Sequence, residues 1–306
     1  MQIKNRILYG VLYMISRLPL PMLYLLSDGF TYLVYNIIGY RKGIVASNLA
    51  IAFPEKSKKE RQLIAKNFYR NFTDTFVESI KLISAGDDLI KKMFTANTTI
   101  FDSLAATKKN IQIHAMHNFN WEIVNQGVSR MMPLPFLAVY QPILNSFFEK
   151  MFYRIRSRYG TILIPANDFK NNFTKYSGQQ YIIALVADQN PGNPARAWWA
   201  NFFNRPAPFV QGPEKAARER DNIVLFGNFF KIKRGVYTFE LELATENSST
   251  LPEGELTLRY IKYVEDRIRE RPDNYLWSHR RWKHEYKEEY AGSVLQQLTF
   301  DSSTSL

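Results

Sequence analysis

Between residues 110 and 190, short apolar segments alternate with segments of helical spacing, and this alternation restricts the fold more than any other feature. The apolar segments are IQIHAM, PFLAVY, TILIP and YIIALVAD. The stretches between them are long enough for the helical crossovers that join parallel strands. Two later segments, NIVLFGNFF and VYTFELEL, are separated by the turn KIKRG and indicate an antiparallel addition. The sequence therefore predicts an α/β fold with a mixed, mainly parallel sheet flanked by helices.

A long helix is predicted over residues 57–84. Ser57 and Glu60 have the spacing of a capping box, in which each side chain bonds the backbone amide of the other residue. Apolar residues that fall mostly on one helical face follow the cap: Leu63, Ile64, Phe68, Phe72, Phe76, Ile80 and Ile83. Further helices are predicted over residues 120–131, 144–159, 168–176 and 254–270.

The first 40 residues are apolar and rich in aromatic side chains, but they do not form one clean membrane span. A span needs about 20 apolar residues, and here Arg17, two prolines and Asp28 interrupt the sequence. No small-residue cleavage site follows, so a removed signal peptide is not expected. We expect a hydrophobic helical anchor that lies in the bilayer interface or crosses it as one imperfect span. An ordinary core hairpin is the alternative.

Charge and cysteine content restrict the possible functions. The formal net charge of +12 predicts an acidic partner, which can be a nucleic acid, an anionic membrane surface or an acidic protein. The chain has no cysteine, which excludes disulfides, thiol nucleophiles and cysteine-ligated zinc. The basic, aromatic segment SHRRWKH is compatible with nucleic-acid binding, but no known nucleic-acid-binding pattern accompanies it, so nucleic acid is not an expected partner.

The segment IHAMHNFNWEIVNQG contains the most specific candidate for chemistry. His117 follows the IQIHAM strand, and Glu122 lies five residues later in the first turn of the next helix. In open α/β sheets ligands bind at the carboxyl ends of the strands, so this pair is expected to act as a general base and the carboxylate that orients it. A hydrogen-bonded structural histidine remains the alternative. His114 is expected in the core, on the opposite face from His117, so no metal site is predicted.

The segment HNFNWE resembles the H-x4-D/E motif of glycerolipid acyltransferases, and more narrowly the HxGNWE form of the bacterial lipid A late acyltransferases, the lauroyl/myristoyl transferase family. Further segments match that family in the same order along the chain: VASNLAIAFPE, VYQPILN, ADQNP, FFNRPAPFVQGPEKAAR and YLWSHRRWKH. The chain departs from the family pattern at Phe119, Gln141, Asn204 and Phe209, which leaves the acyl-chain pocket and the acceptor open.

The resemblance implies a glycerolipid acyltransferase-like fold and acyl transfer from an acyl thioester, on acyl carrier protein, to a phosphorylated lipid A precursor. His117 would be the general base and Glu122 its orienting carboxylate, with no metal or organic cofactor. Expected substrate-binding residues are Asn120, Trp121, Arg156, Arg158, Asp188, Gln189, Arg280 and Arg281. Among them, Arg156 and Arg158 are candidate oxyanion donors, whereas Arg280 and Arg281 are candidate phosphate ligands.

The same resemblance implies a location on the cytoplasmic face of the bacterial inner membrane. We expect a membrane-associating segment over residues 1–40, an acyltransferase catalytic domain over residues 41–293 and a disordered Ser/Thr-rich tail over residues 294–306. Two alternatives stay open at this level. The acceptor can be an aminolipid, a glycerophospholipid or a pigment, or the chain can be a catalytically silent lipid-binding protein of the membrane.

Overall fold

A computed structural model describes residues 3–300 of the chain. The helices within this range are α1 Ile3–Arg17, α2 Leu20–Tyr32, α3 Lys42–Ala52, α4 Lys58–Lys81, α5 Asp87–Met93, α6 Ile100–Ala105, α7 Trp121–Ser129, α8 Ser146–Ser157, α9 Phe169–Phe173, α10 Gly212–Glu219 and α11 Glu255–Glu270. The strands are β1 Phe94–Ala96, β2 Ile111–Ala115, β3 Phe136–Tyr140, β4 Ile162–Pro165, β5 Ile182–Val186, β6 Ala197–Phe202, β7 Arg205–Val210, β8 Ile223–Lys233 and β9 Val236–Thr245.

Seven strands form one sheet in the order β1-β9-β8-β2-β5-β3-β4. Its strand pairs are parallel except for β8–β9, which is antiparallel. The prediction of a mainly parallel sheet flanked by helices is confirmed, and so is the antiparallel addition. The KIK of the predicted turn belongs to β8, because the chain reverses only at Arg234 and Gly235, where Gly235 has a φ of 79°.

Strands β6 and β7 form a separate two-stranded hairpin that the sequence analysis did not predict. Phe203 and Asn204 make its turn, with φ values of 50° and 57°. A turn with positive φ at both positions usually contains glycine or asparagine, and the phenylalanine obscures that signal. The hairpin is part of the core, because Trp199, Phe202 and Phe209 are buried in it.

Helix α4 confirms the predicted capping box. The Ser57 backbone amide donates to the Glu60 carboxylate at 2.7 Å, and the Glu60 amide donates to Ser57 Oγ at 3.3 Å. The predicted apolar face of α4 is not buried along its whole length. Phe68 is buried, whereas Leu63 and Phe76 are more than half exposed.

The N-terminal helices expose an apolar surface. Within residues 3–300 no single helix is long and apolar enough to cross a bilayer, and α1 reaches that length only together with residues 20–38, from which it is bent by 114°. The side chains on this segment that are more than half exposed include Ile3, Ile7, Met14, Leu25, Phe30, Ile37 and Ile38. The segment therefore has an exposed apolar surface and a second surface that packs on the protein, where Leu23 is buried.

A partly buried network of ion pairs joins α2 to the rest of the fold. Arg234, at the β8–β9 turn, donates through Nε and Nη2 to the carboxylate of Asp74 on α4, at 3.0 and 2.7 Å. The same guanidinium reaches Asp28 on α2 at 2.8 Å. Asp74 is fully buried and also accepts a hydrogen bond from Ser27 on α2. Three elements distant in sequence therefore share one cation.

Part of the chain assigned to a disordered tail lies along β6. Leu295 donates its backbone amide to the Trp199 carbonyl at 2.9 Å. Asn201 Nδ2 donates to the Gln297 carbonyl, and the Thr299 backbone amide donates to Asn201 Oδ1. Residues 301–306 of that predicted tail lie outside the described residues.

Replacing Arg234 by methionine is expected to lower the free energy of unfolding by about 3 kcal/mol, because the buried Asp74 carboxylate loses its cation. Urea denaturation followed by circular dichroism measures the change. The control is Lys262→Met, because Lys262 and Asp266 form a solvent-exposed pair whose loss costs much less. Equal effects of the two variants would contradict this role for Arg234.

Candidate active site

A cavity of about 540 Å³ extends from the carboxyl edge of the sheet into the space between the sheet and α7. Its inner wall is apolar and comes from the strands β2, β3 and β5, from α7 and from neighbouring side chains. The inner residues include Ile113, Val128, Phe136, Ala138, Ala184, Phe229 and Phe239. Polar side chains line the end at the sheet edge: His117, Glu122, Tyr140, Gln141 and Arg156. The shape and lining are typical of a site that binds a largely apolar ligand.

His117 and Asp188 form a hydrogen-bonded pair at this edge. His117 Nδ1 lies 2.7 Å from Asp188 Oδ1, and the His117 backbone amide donates to the same oxygen at 3.2 Å. Strand register brings the two together: Ala115 of β2 pairs with Val186 of β5, and each side chain stands two residues beyond that pair. Asp188 is fully buried, whereas the His117 side chain is 28% exposed and borders the cavity.

The pair has the electrostatics of an imidazole held by an ionised carboxylate. Burial by itself raises the pKa of Asp188, but the charge and hydrogen bonds of His117 outweigh it and leave that pKa below its ordinary value. An ionised carboxylate accepts the proton on Nδ1, so Nε2 is left with the lone pair. This is the tautomer that can accept a proton from a substrate.

Glu122 has a different partner from the one expected. Its carboxylate accepts from Arg156 Nη2 at 2.6 Å and from Arg156 Nε at 3.0 Å, and it also accepts from Trp121 Nε1 at 3.0 Å. In this structure Asp188 replaces Glu122 as the hydrogen-bond partner of His117. Glu122 instead binds the partly buried guanidinium of Arg156 at the cavity, and Trp121 also lines the cavity wall.

The turn that joins His117 to α7 is buried. Phe119 packs among Phe68, Phe72 and Trp121. Asn120, expected to bind substrate, is fully buried and uses both ends of its side-chain amide inside the protein. The expectation for Asn120 is therefore wrong in this structure, because no part of the amide is free to meet a ligand.

The remaining expected substrate-binding residues lie outside the cavity lining. Arg158 donates to the backbone carbonyls of Ala85 and Ile83. Arg281 is 1% exposed, donates to Asn190 Oδ1 at 2.9 Å and to the Pro208 carbonyl at 3.0 Å, and cannot reach a phosphate on the surface.

Gln189 directly follows Asp188 in the chain, and Arg280 directly precedes Arg281. Gln189 is half-buried and Arg280 is exposed.

Among residues 3–300 no group of three His, Asp or Glu side chains has the arrangement of a metal site.

His114 is in the core, as predicted. It is 2% exposed, and its Nε2 lies 2.7 Å from Gln112 Nε2. Because the Gln112 amide nitrogen can only donate, His114 Nε2 is the acceptor and the ring is neutral. Burial lowers the pKa of His114 to about 3.

Comparison with known proteins gives one consistent result. A family model described as "Bacterial lipid A biosynthesis acyltransferase" matches residues 4–284. The chain is similar to the "Lipid A biosynthesis palmitoleoyltransferase" of Escherichia coli (strain K12), with 23% identity over 280 residues, 90% of this chain and 89% of that protein. It is also similar to the "Lipid A biosynthesis lauroyltransferase" of the same organism, with 24% identity over 277 residues and the same two coverages.

The buried His114 is expected to make the protein less stable as the pH falls below about 6.5. The unfolded chain takes up a proton there and the folded chain does not, so the free energy of unfolding drops by up to about 1.4 kcal/mol per pH unit until the pH nears 3. His114→Gln removes this contribution and flattens the slope measured by urea denaturation at a series of pH values. His284→Gln is the control: burial also lowers the pKa of His284, but this histidine is less buried than His114, so its loss should flatten the slope less. An unchanged slope in His114→Gln would contradict the assignment.

Proposed function

The chain belongs to the family of bacterial lipid A biosynthesis acyltransferases, and we propose that this acyltransferase moves a fatty acyl chain from an acyl thioester to a lipid A precursor. The observation that supports this most is the His117–Asp188 pair at the mouth of an apolar cavity. A general base beside a binding site for an alkyl chain is what acyl transfer to a hydroxyl group requires.

His117 is the general base in this proposal. Its Nε2 takes the proton of an acceptor hydroxyl as the hydroxyl oxygen attacks the thioester carbonyl. The tetrahedral intermediate then collapses, the carbon–sulfur bond breaks, and the imidazolium returns the proton to the departing thiolate. Asp188 keeps the ring in the required tautomer and stabilises the imidazolium. No acyl-enzyme forms, so no nucleophilic side chain is needed.

Glu122 and Arg156 have a supporting role. Arg156 donates from Nε and Nη2 to Glu122, so its charge is held at the polar end of the cavity. A fixed cation there is suited to the negative charge that develops on the carbonyl oxygen. Glu122 thus contributes by positioning Arg156, while the base is oriented by Asp188.

The inner part of the cavity holds the acyl chain. Ala138 and Ala184 are register partners on β3 and β5, and both border it, so small side chains leave room along the sheet. The wall is closed farther in by Phe136 and Val128. An acyl chain that enters with its thioester at His117 would extend along these residues and exchange water for apolar contacts.

The exposed apolar side chains of α1 and α2 would rest in the bilayer interface on the cytoplasmic face of the inner membrane. A bent helix pair with apolar residues on its outer side is suited to that position. The net charge of +12 suits two acidic partners, acyl carrier protein as the acyl donor and the phosphorylated lipid as the acceptor.

His117→Ala is expected to lower kcat for transfer from acyl-acyl carrier protein to a lipid A precursor by about 10²–10⁴-fold, the usual contribution of a general base. Asp188→Asn is expected to lose about 100-fold or more, because an amide stabilises neither the tautomer nor the imidazolium. Product formation is measured by mass spectrometry of the acylated lipid.

His284→Ala is the matched control, since it removes a histidine near the surface. Thermal unfolding of each variant establishes that losses in activity do not come from losses of folded protein. Wild-type activity in His117→Ala would show that the proposed base is wrong.

Ala184→Leu is expected to shift the preferred acyl chain to a shorter one. The larger side chain fills part of the cavity, and each methylene group excluded costs about 0.8 kcal/mol, or about fourfold in kcat/KM. Competition between acyl donors of different length measures the shift. Ala106→Leu, on the exposed surface, is the control. An unchanged preference would mean that the acyl chain binds elsewhere.

A further inference from the structure

A fully buried carboxylate, Glu78 on α4, lies behind the turn that joins His117 to α7. It accepts three hydrogen bonds from three different parts of the chain. Tyr24 Oη on α2 donates to Oε1 at 2.9 Å, Tyr237 Oη on β9 donates to Oε2 at 2.7 Å, and Asn120 Nδ2 donates to Oε2 at 3.0 Å. The function proposed above does not use this group.

The bond to Asn120 connects Glu78 to the candidate active site. The other end of the Asn120 amide, Oδ1, accepts the backbone amide of Glu122 at 3.0 Å and so caps α7. Asn120 therefore needs a donor directed at Glu78 and an acceptor directed at α7. Reversing the amide would break both bonds, and an acceptor at position 78 is what fixes its orientation.

The consequences extend to both sides of the turn. His117 precedes Asn120 by three residues, and Glu122, whose carboxylate holds Arg156, is the residue whose amide Asn120 caps. If the buried Asn120 amide loses a hydrogen-bond partner, an unsatisfied polar group remains inside the protein. The turn must then move to bring that group to a new partner. Movement there would change the position of the base relative to Arg156.

We propose that Glu78 is a positioning residue for acyl transfer: it fixes the Asn120 amide and thereby the turn between His117 and Glu122. The inference rests on the function proposed for His117. Because Tyr24 donates to the same carboxylate, α2 of the apolar N-terminal segment is joined to this turn through one side chain.

A donor–acceptor exchange tests the inference. Asn120→Asp keeps the shape and the cap on α7 but places a carboxylate against Glu78, so kcat is expected to fall about tenfold or more with a smaller change in KM. The double variant Glu78→Gln with Asn120→Asp restores the bond in the opposite direction, from the Gln amide to the Asp carboxylate. It is expected to recover most of the loss.

The pH profile distinguishes positioning from a packing defect. In Asn120→Asp two buried carboxylates can share one proton, so the activity relative to wild type is expected to rise as the pH falls. The double variant has one carboxylate there and should lose this dependence. The other titratable groups around Glu78 are Tyr24 on α2, Asp74 on α4, Lys231 on β8 and Tyr237 on β9. All four are unchanged in every variant.

Asn222→Asp is the matched control. It makes the same change at a buried amide that donates to Gln112, at the amino end of β8 and away from His117. It should lower stability without lowering kcat per folded molecule. If wild type is active but Asn120→Asp keeps full kcat, or the double variant shows no recovery of kcat per folded molecule, the inference fails. If wild type transfers no acyl chain, the proposed function fails instead.

Discussion

The hydrogen bond between His117 Nδ1 and Asp188 Oδ1 is the interaction on which the account of this protein depends. Neither residue lies in a strand, yet their separation is set by strand register, because β2 and β5 are parallel neighbours that end at paired residues. The two short segments beyond the strands therefore emerge side by side at the carboxyl edge of the sheet. A one-residue shift of that register would separate imidazole and carboxylate, so the core that fixes the register also fixes the site.

Three buried carboxylates hold side chains at or beside the polar end of the apolar cavity, and of the three only Glu122 lines it. Asp188 is bonded to His117, Glu122 to Arg156 and Glu78 to the donors of three separate elements. Burying an ionised carboxylate is costly unless charges or hydrogen bonds compensate it. Asp188 and Glu122 have that compensation from His117 and Arg156, whereas at Glu78 burial outweighs the three hydrogen bonds and raises the pKa to about 7. The polar groups are thereby held still at one end of a cavity whose other walls are apolar. Such an arrangement is suited to the acyl transfer proposed for this site, in which an alkyl chain and a proton-transfer group must be close together.

Much of the fold could be predicted from sequence because the signals are local, as with the capping box at Ser57 and the strand that ends before His117. The partner of His117 could not, since Asp188 lies 71 residues away and only strand register brings it near. Burial is likewise set by distant parts of the chain. Asn120 and Arg281 look available as polar residues, but tertiary packing encloses them and commits their hydrogen bonds.

The most direct test of the His117–Asp188 hydrogen bond is NMR of the protein labelled with ¹⁵N-histidine, in which the proton on His117 Nδ1 is observed. If Asp188 orients the ring, the wild type has a protected, downfield Nδ1–H proton, which Asp188→Asn shifts strongly and Glu122→Gln leaves in place. A signal that is insensitive to Asp188→Asn but lost in Glu122→Gln would contradict that role of Asp188, because Glu122 would then be the carboxylate that orients the base.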